Sequence, residues 1–336
     1  MTWATLGTMA LPFHLQRTGV QARTDLARHS HEMTTGQVQS VTRHLRGDIG
    51  ALQAIENRLM RIGQYDNTLK QAVTSFDTAQ AALDKVARTG QDLAVKLVLT
   101  AEASAGPAAR GVAVQAARST LGETIAAMAV SVAGRSIFSG VQSDRAPLVK
   151  PDVLLGALGA EVAGMTAAAD VFAALDAWFM SPGTDFATTA YRGGAPVAGG
   201  VMDDGTAVPE LPTAEDPAIR RQLMYAAMVV LLDDGAITLA PDQERAVLQR
   251  AMTGLMENAE RMAGLQSRVG IAQEVLERQQ LRLSLESDRL ELLRSDKIGV
   301  DPYKAATQLE QSRVQLESIY AVTARLTRLS LTEYLR

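Results

Sequence analysis

A seven-residue apolar repeat runs without a miss from Leu248 through Leu255, Met262, Val269, Leu276 and Leu283 to Leu290. A repeat held this long keeps one seam of a helix against a partner helix, which commits this part of the chain to coiled-coil packing. The spacing predicts a helix from near Pro241 to about Lys297, roughly 85 Å long at about 1.5 Å per residue. Its companion positions Gln266, Gln273, Gln280 and Ser287 are polar, which weakens the seam while fixing its register. A second series steps by sevens through Ile55, Ile62, Leu69, Phe76, Leu83, Gly90 and Leu97. Leu52, Leu59, Val73, Ala87 and Ala94 share that seam, and Asp66 and Gln80 interrupt it.

Shorter amphipathic runs complete the helical part. Pro107 is placed to open a helix carrying Val114, Leu121, Ile125, Met128 and Val132, with a stop at Gly134. At the front, Leu11, Leu15, Ala22, Leu26 and Met33 predict a helix that contains Gly19 and ends at Thr34-Thr35-Gly36. After Asp301-Pro302-Tyr303, no glycine or proline breaks the chain up to Arg336. Leu309, Leu316, Ile319, Val322, Leu326 and Leu329 then recur at helical spacing and form one apolar face. A lone helix cannot bury that face, so it needs the Leu11–Met33 helix or equivalent helices of neighbouring copies. Leu316, Ile319, Leu326 and Leu329 have no obvious partner in a lone subunit, and both ends are expected to be mobile in solution.

The middle of the chain differs. It holds Pro147, Pro151, Pro182, Pro196, Pro209, Pro212 and Pro217, punctuated by Gly193-Gly194 and Gly199-Gly200. Asp204-Gly205 between Val201-Met202 and Ala207-Val208 predicts a hairpin. The expected fold is mainly α: a long antiparallel coiled-coil rod built from both chain ends, with a small mixed α/β domain inserted in the middle. Its parts are 1–45 with 298–336, 46–140 with 241–297, and the insert 141–240.

Composition excludes several functions. The chain contains no cysteine, so disulfides, thiolate metal sites and cysteine nucleophiles are absent. A net charge of −4 gives no global attraction to nucleic acid, and basic residues near the ends lack interleaved aromatics. No Lys or Arg precedes Arg17 to start a cleavable secretory signal. The stretch Val153–Leu175 contains Glu161, Asp170 and three glycines and fails as a membrane span.

Candidate chemistry is equally sparse. His29 and His31 in HSHE point to different faces of a helix, and neither His14 nor His44 stands at ligand spacing from them. Asp203-Asp204 and Asp233-Asp234 sit beside glycine, where turn formation accounts for them. The interleaved Glu and Arg residues between Glu274 and Arg294 are the solvated face of a helix. No catalytic residue, cofactor site or metal site is expected.

Three stretches are similar to the flagellin superfamily. Gly134 to Gly140 reads GRSIFSG and resembles the family's Gly-Arg-Tyr-Leu-Phe-Ser-Gly turn, which leaves the helical rod for the outer domain. Asp301 to Leu335 resembles the family's terminal helix, whose closing Ser-Leu-x-Asp-Tyr-Leu stands here as Ser330-Leu331-Thr332-Glu333-Tyr334-Leu335. Thr35 to Asp48, TGQVQSVTRHLRGD, resembles the region after the first helix. Thr34-Thr35-Gly36 and Gly47-Asp48 replace the family's Ser-Ser-Gly and Asp-Asp, and Ser136 stands where a tyrosine is common. These departures mark a divergent branch.

The resemblance implies a structural subunit of the bacterial flagellum that joins hook to filament and is not an enzyme. It implies unfolded passage through type III flagellar export, an extracellular location, and partners among hook-associated proteins, flagellin and further copies of itself. An export chaperone on the C-terminal helix is a further expected partner. The terminal helices would form an inner tube through Leu11, Leu15, Leu26, Leu309, Leu316, Ile319, Leu326 and Leu329. Gly134, Arg135, Phe138 and Gly140 would form the structural turn. Filament flagellin is the alternative within the family. From periodicity alone, a cytosolic coiled-coil scaffold or binding module is the alternative of another class.

Overall fold

The computed structural model describes residues 5–100, 107–181, 185–197, 205 and 207–334, with side chains from 13 to 326 except at 107. The hairpin predicted around Asp204-Gly205 lies largely outside the described residues. The fold is mainly α, with a small mixed insert: helices α1 (Thr5–Thr35), α2 (Val41–His44), α3 (Gly50–Thr100) and α4 (Pro107–Met128) precede a two-stranded ladder. Helices α5 (Pro151–Glu161), α6 (Ala168–Met180), α7 (Pro217–Val230), α8 (Pro241–Ile298) and α9 (Pro302–Tyr334) follow. The predicted starts at Pro107, Pro241 and Pro302 are the observed ones, because proline suits a first helical turn whose N–H has no partner. The helix from Pro107 ends at Met128, earlier than the Gly134 stop, because Ser131 and Val132 leave it for a strand.

The chain divides into two compact units, residues 1–64 with 283–336 and residues 65–282. In the first unit α1 and α9 run antiparallel. At one end of the pair Val38 N donates to Ile298 O at 2.9 Å and Val300 N donates to Gly36 O at 2.9 Å, around a bridge between Gln37 and Gly299. Farther along, Arg23 Nε donates to the Tyr320 hydroxyl at 2.8 Å, and the guanidinium carbon lies 5.4 Å from the tyrosine ring centroid. Gly36 ends α1 at φ 67°, a left-handed angle that glycine adopts without a Cβ clash. Asp301 caps α9, its Oδ1 accepting from Tyr303 N at 2.9 Å. Within the same unit, α3 pairs with α8 through Arg58 Nε, which donates to Glu286 Oε1 at 2.6 Å.

In the second unit the antiparallel α3–α8 pairing continues. Gln273 Nε2 donates to Asp77 Oδ1 at 2.7 Å. Both heptad series supply its core: Leu69, Phe76, Leu83 and Leu97 on α3 and Leu248, Leu255, Met262, Val269 and Leu276 on α8 are buried, as are Ile62 and Leu283 in the first unit. Gln266, Gln273 and Gln280 are half-buried beside that seam, as is Ser287 in the first unit. Helix α7 is buried along nearly its whole length because two glycines clear room for it. A Cβ at Gly90 would lie 2.7 Å from Gln222 Cδ, and one at Gly254 would lie 2.7 Å from Tyr225 Cε2. Gln222 Nε2 donates to Val86 O at 3.4 Å and Asn258 Nδ2 to Ala218 O at 2.9 Å, tying α7 to α3 and α8. Over α6, Trp178, Phe179 and Phe186 stack with centroids 4.7 to 6.1 Å apart, a small aromatic core.

Candidate assembly interface

The α1–α9 pair brings the two sets of predicted terminal residues together. Leu15 and Leu26 on α1 and Leu309, Leu316, Ile319 and Leu326 on α9 are half-buried, whereas the side chains of Leu11 and Leu329 lie outside the described residues. Of the partners expected for the α9 face, the Leu11–Met33 helix of the same chain supplies one from the opposite end of the chain, so the expectation that Leu316, Ile319 and Leu326 have none in a lone subunit is corrected. Half burial leaves part of each side chain open to a further neighbour.

Apart from Ala22, sequence reasoning missed the most deeply buried members of this seam. Ala22, His29, Ala305 and Ser312 are buried, yet none is a large apolar residue. Ala305, Ser312, Ile319 and Leu326 are spaced by sevens, so heptad stepping back from Leu326 was the available signal. Val322, counted with the stripe, is 46% exposed and stands off the seam. A Cβ at Gly19 would meet Ile319 Cγ2 at 3.7 Å, so the glycine's interruption of α1 coincides with close approach of α9. The His29 ring packs in the same seam, with Nδ1 3.2 Å from Glu32 Oε2 and Nε2 3.3 Å from an Arg28 nitrogen. This is the environment of an interface histidine, and among the described residues no cluster could hold a metal ion.

A second apolar set faces outward. Phe13 is 70% exposed, and Val20, Met33, Val314 and Tyr320 are also open on α1 and α9. Large apolar residues concentrated on two paired helices are more informative than scattered ones, because such surface marks association.

The GRSIFSG segment builds a tight crossing. Ser131 pairs with Ser136 and Val132 with Arg135, with Ala133 at φ 51° and Gly134 at φ 77° between them. Two positive φ values at the centre of a two-residue loop define a type I′ hairpin. Phe138 and Ser139 are fully buried, and Ser139 Oγ donates to Arg145 O at 2.7 Å. Ala214 N donates to Phe138 O at 2.9 Å and Gly194 N to Ser139 O at 2.9 Å, so the segment is held on both sides. Gly140 has φ 58°, and a Cβ there would run into the backbone of Gly194 and Ala195. Arg135 is exposed, its Nε donating to Ser143 Oγ at 3.1 Å.

A cleft of about 530 Å³ lies nearby, lined by Glu210, Thr213, Glu215, Asp216, Arg220 and Arg268 among others. Asp216 is engaged by Arg268 at 2.7 Å and caps α7. Burial lowers the Arg220 pKa, opposed by Glu215, and the guanidinium donates to Phe179 O. Burial raises the Tyr191 pKa against a hydrogen bond with Thr213, and its hydroxyl donates to Gly194 O at 2.7 Å. These polar groups stitch the insert together, and no nucleophile–base pair is aligned among them. No helix among the described residues is long and apolar enough to cross a membrane.

The architecture defines a helical subunit whose two chain ends make one antiparallel pair with apolar surface to spare. Residues 252–335 match the bacterial flagellin C-terminal helical region, which covers most of α8 and α9. In that region the chain is similar to the flagellin superfamily. Among solved structures, a proposed flagellar hook-associated protein of Vibrio parahaemolyticus superposes with TM-score 0.52 at 14% identity, over 75% of this chain and 99% of that one. At that identity the likeness is one of fold. FlgL of Bacillus cereus aligns over 84% of this chain and 99% of its own at 12% identity, with TM-score 0.35, too low to carry an argument. No curated protein sequence matches the chain.

Proposed function

We propose that this chain is a structural subunit of the bacterial flagellum, outside the cell, that joins hook to filament. The observation that carries the reading is the α1–α9 pair, made from opposite chain ends, of which α9 falls in the region that matches the flagellin C-terminal family. In this reading residues 1–45 with 298–336 form an inner-tube domain, residues 46–140 with 241–297 the surrounding rod, and 141–240 the outer insert. Leu15, Leu26, Leu309, Leu316, Ile319 and Leu326 present their open sides to neighbouring subunits. The GRSIFSG hairpin redirects the chain from α4 into the insert. The role is structural rather than catalytic. Before assembly, a chaperone covers the C-terminal stripe during type III export.

Electron microscopy of a deletion strain tests the position. Bare hooks with unattached filaments in the medium are expected; normal filaments on hooks would refute the junction role. Quantification in sheared flagella separates the filament alternative. A junction subunit is scarce beside the filament protein, whereas a filament flagellin dominates.

A further inference from the structure

Helix α8 carries a second apolar face that its own seam does not use. Leu285 and Leu292 each stand two residues past a seam leucine, Leu283 or Leu290, about 200° round the helix. They are 61% and 72% exposed. The side of a coiled-coil helix farthest from its seam ordinarily carries polar residues, so leucines spaced by seven there are an unpartnered stripe. Arg289 lies between them at helical spacing, exposed, with no ion pair among the described residues.

Helix α9, in the same compact unit, offers a complementary surface. A shallow groove of about 630 Å³ is lined by Ala306, Thr307, Glu310, Gln311, Val314 and Gln315, all on one outward side of the helix. Val314 is exposed, and Glu310 stands between Thr307 and Val314 without an ion pair among the described residues. One patch therefore carries a cation, Arg289, between Leu285 and Leu292, and the other an anion, Glu310, between Ala306 and Val314 at nearly the same spacing.

We propose that these two patches dock on each other between copies of the chain: Leu285 and Leu292 of one subunit enter the α9 groove of the next, with Arg289 against Glu310. Apolar match and opposite charge select a second copy as the occupant, since both halves of the contact belong to this sequence. The patches are different, so the contact is heterologous and propagates from subunit to subunit. This inference rests on the self-assembling role proposed above and adds the residues that carry one of its contacts.

The natural absence of cysteine makes the test direct. The full-length chain carrying Leu292→Cys and Val314→Cys is oxidised both in isolated flagella and as concentrated purified protein. A ladder of cross-linked multimers is expected, whereas each single-cysteine variant gives none. Arg289→Glu or Glu310→Arg alone should thin the ladder about tenfold, and the two together should restore it by exchanging the charges. Because all four positions are on the surface, circular dichroism should stay unchanged. A subunit that is present in flagella yet gives no ladder, cross-links only to another protein, or loses the ladder without rescue by the charge exchange overturns the contact. Absence of the chain from flagella, with a ladder from the purified protein, overturns the flagellar reading and leaves the contact standing.

Discussion

Replacing Gly254 and Gly264 by alanine, one at a time, should move stability in opposite directions although both sit inside α8. In a helix interior, glycine to alanine gains about 0.5–1 kcal/mol through reduced freedom of the unfolded chain. At Gly264 a new Cβ meets nothing within 4 Å, so that gain should appear in full. At Gly254 the methyl would lie 2.7 Å from Tyr225 Cε2 and nearer still to Cε1 and Cζ. Tyr225 is only 5% exposed, so its ring has no route to solvent. Overpacking of this kind costs about 1–3 kcal/mol. After subtracting the helical gain, Gly254→Ala should lie between neutral and about 2 kcal/mol destabilising. Urea unfolding of each variant by circular dichroism measures the difference, read as a shift of midpoint at constant slope. The double variant Gly254→Ala/Tyr225→Leu should recover part of the loss by vacating the ring's place. If Gly254→Ala is as stabilising as Gly264→Ala, the account of how α7 seats on α8 is wrong.

Four further outcomes follow from described features. Burial raises the Tyr225 pKa above the ordinary phenol value of 10.0, partly offset by Arg250 and Arg221. The associated stability is present below pH 10 and lost as pH rises through the folded value, so Tyr225→Phe should flatten the alkaline fall in urea midpoint. Gly140→Ala must hold a left-handed angle and strike the Gly194–Ala195 backbone, whereas Gly134→Ala meets only the angle, at about 1–2 kcal/mol; equal midpoints would refute the distinction. Asp216→Ala should cost about 1 kcal/mol by removing the cap of α7 and Asp216→Asn much less, by thermal melting. Leu326→Asp, in the half-buried α1–α9 seam, should abolish incorporation into flagella while the melting of residues 65–282 is unchanged; normal incorporation would show that this position contacts no neighbour.

Long-range periodicity made the helical frame legible. The series from Leu248 to Leu290 specified a seam because each step returned to the same side of one helix, and packing had no alternative arrangement to select. The pairing of α1 with α9 was harder to read. Its centre is built from Ala22, His29, Ala305 and Ser312, and small or polar residues carry little hydrophobic signal even when fully covered. Val322 failed in the opposite way: an apolar side chain at an acceptable spacing sits off the seam because sevens, not threes, set the register there. Helix α7 escaped altogether, since its burial depends on two glycines, Gly90 and Gly254, on other helices distant in sequence. Complementarity between a glycine and a ring is a property of the folded pair and leaves no pattern in either segment alone.

The small bridge between Gln37 and Gly299 has a kinetic meaning. It joins residues about 260 positions apart, and closing a flexible loop of that length costs on the order of 5 kcal/mol beyond the constant for a short loop. Neither α1 nor α9 can recover that cost until residues between them have folded and shortened the effective loop. The pair made from the chain's two ends should therefore mature last, after the α3–α8 core. A nick within residues 65–282 that slows folding of that core would delay the terminal pair without touching any residue in it. Completion of the ends thus reports that the rest of the chain has already folded.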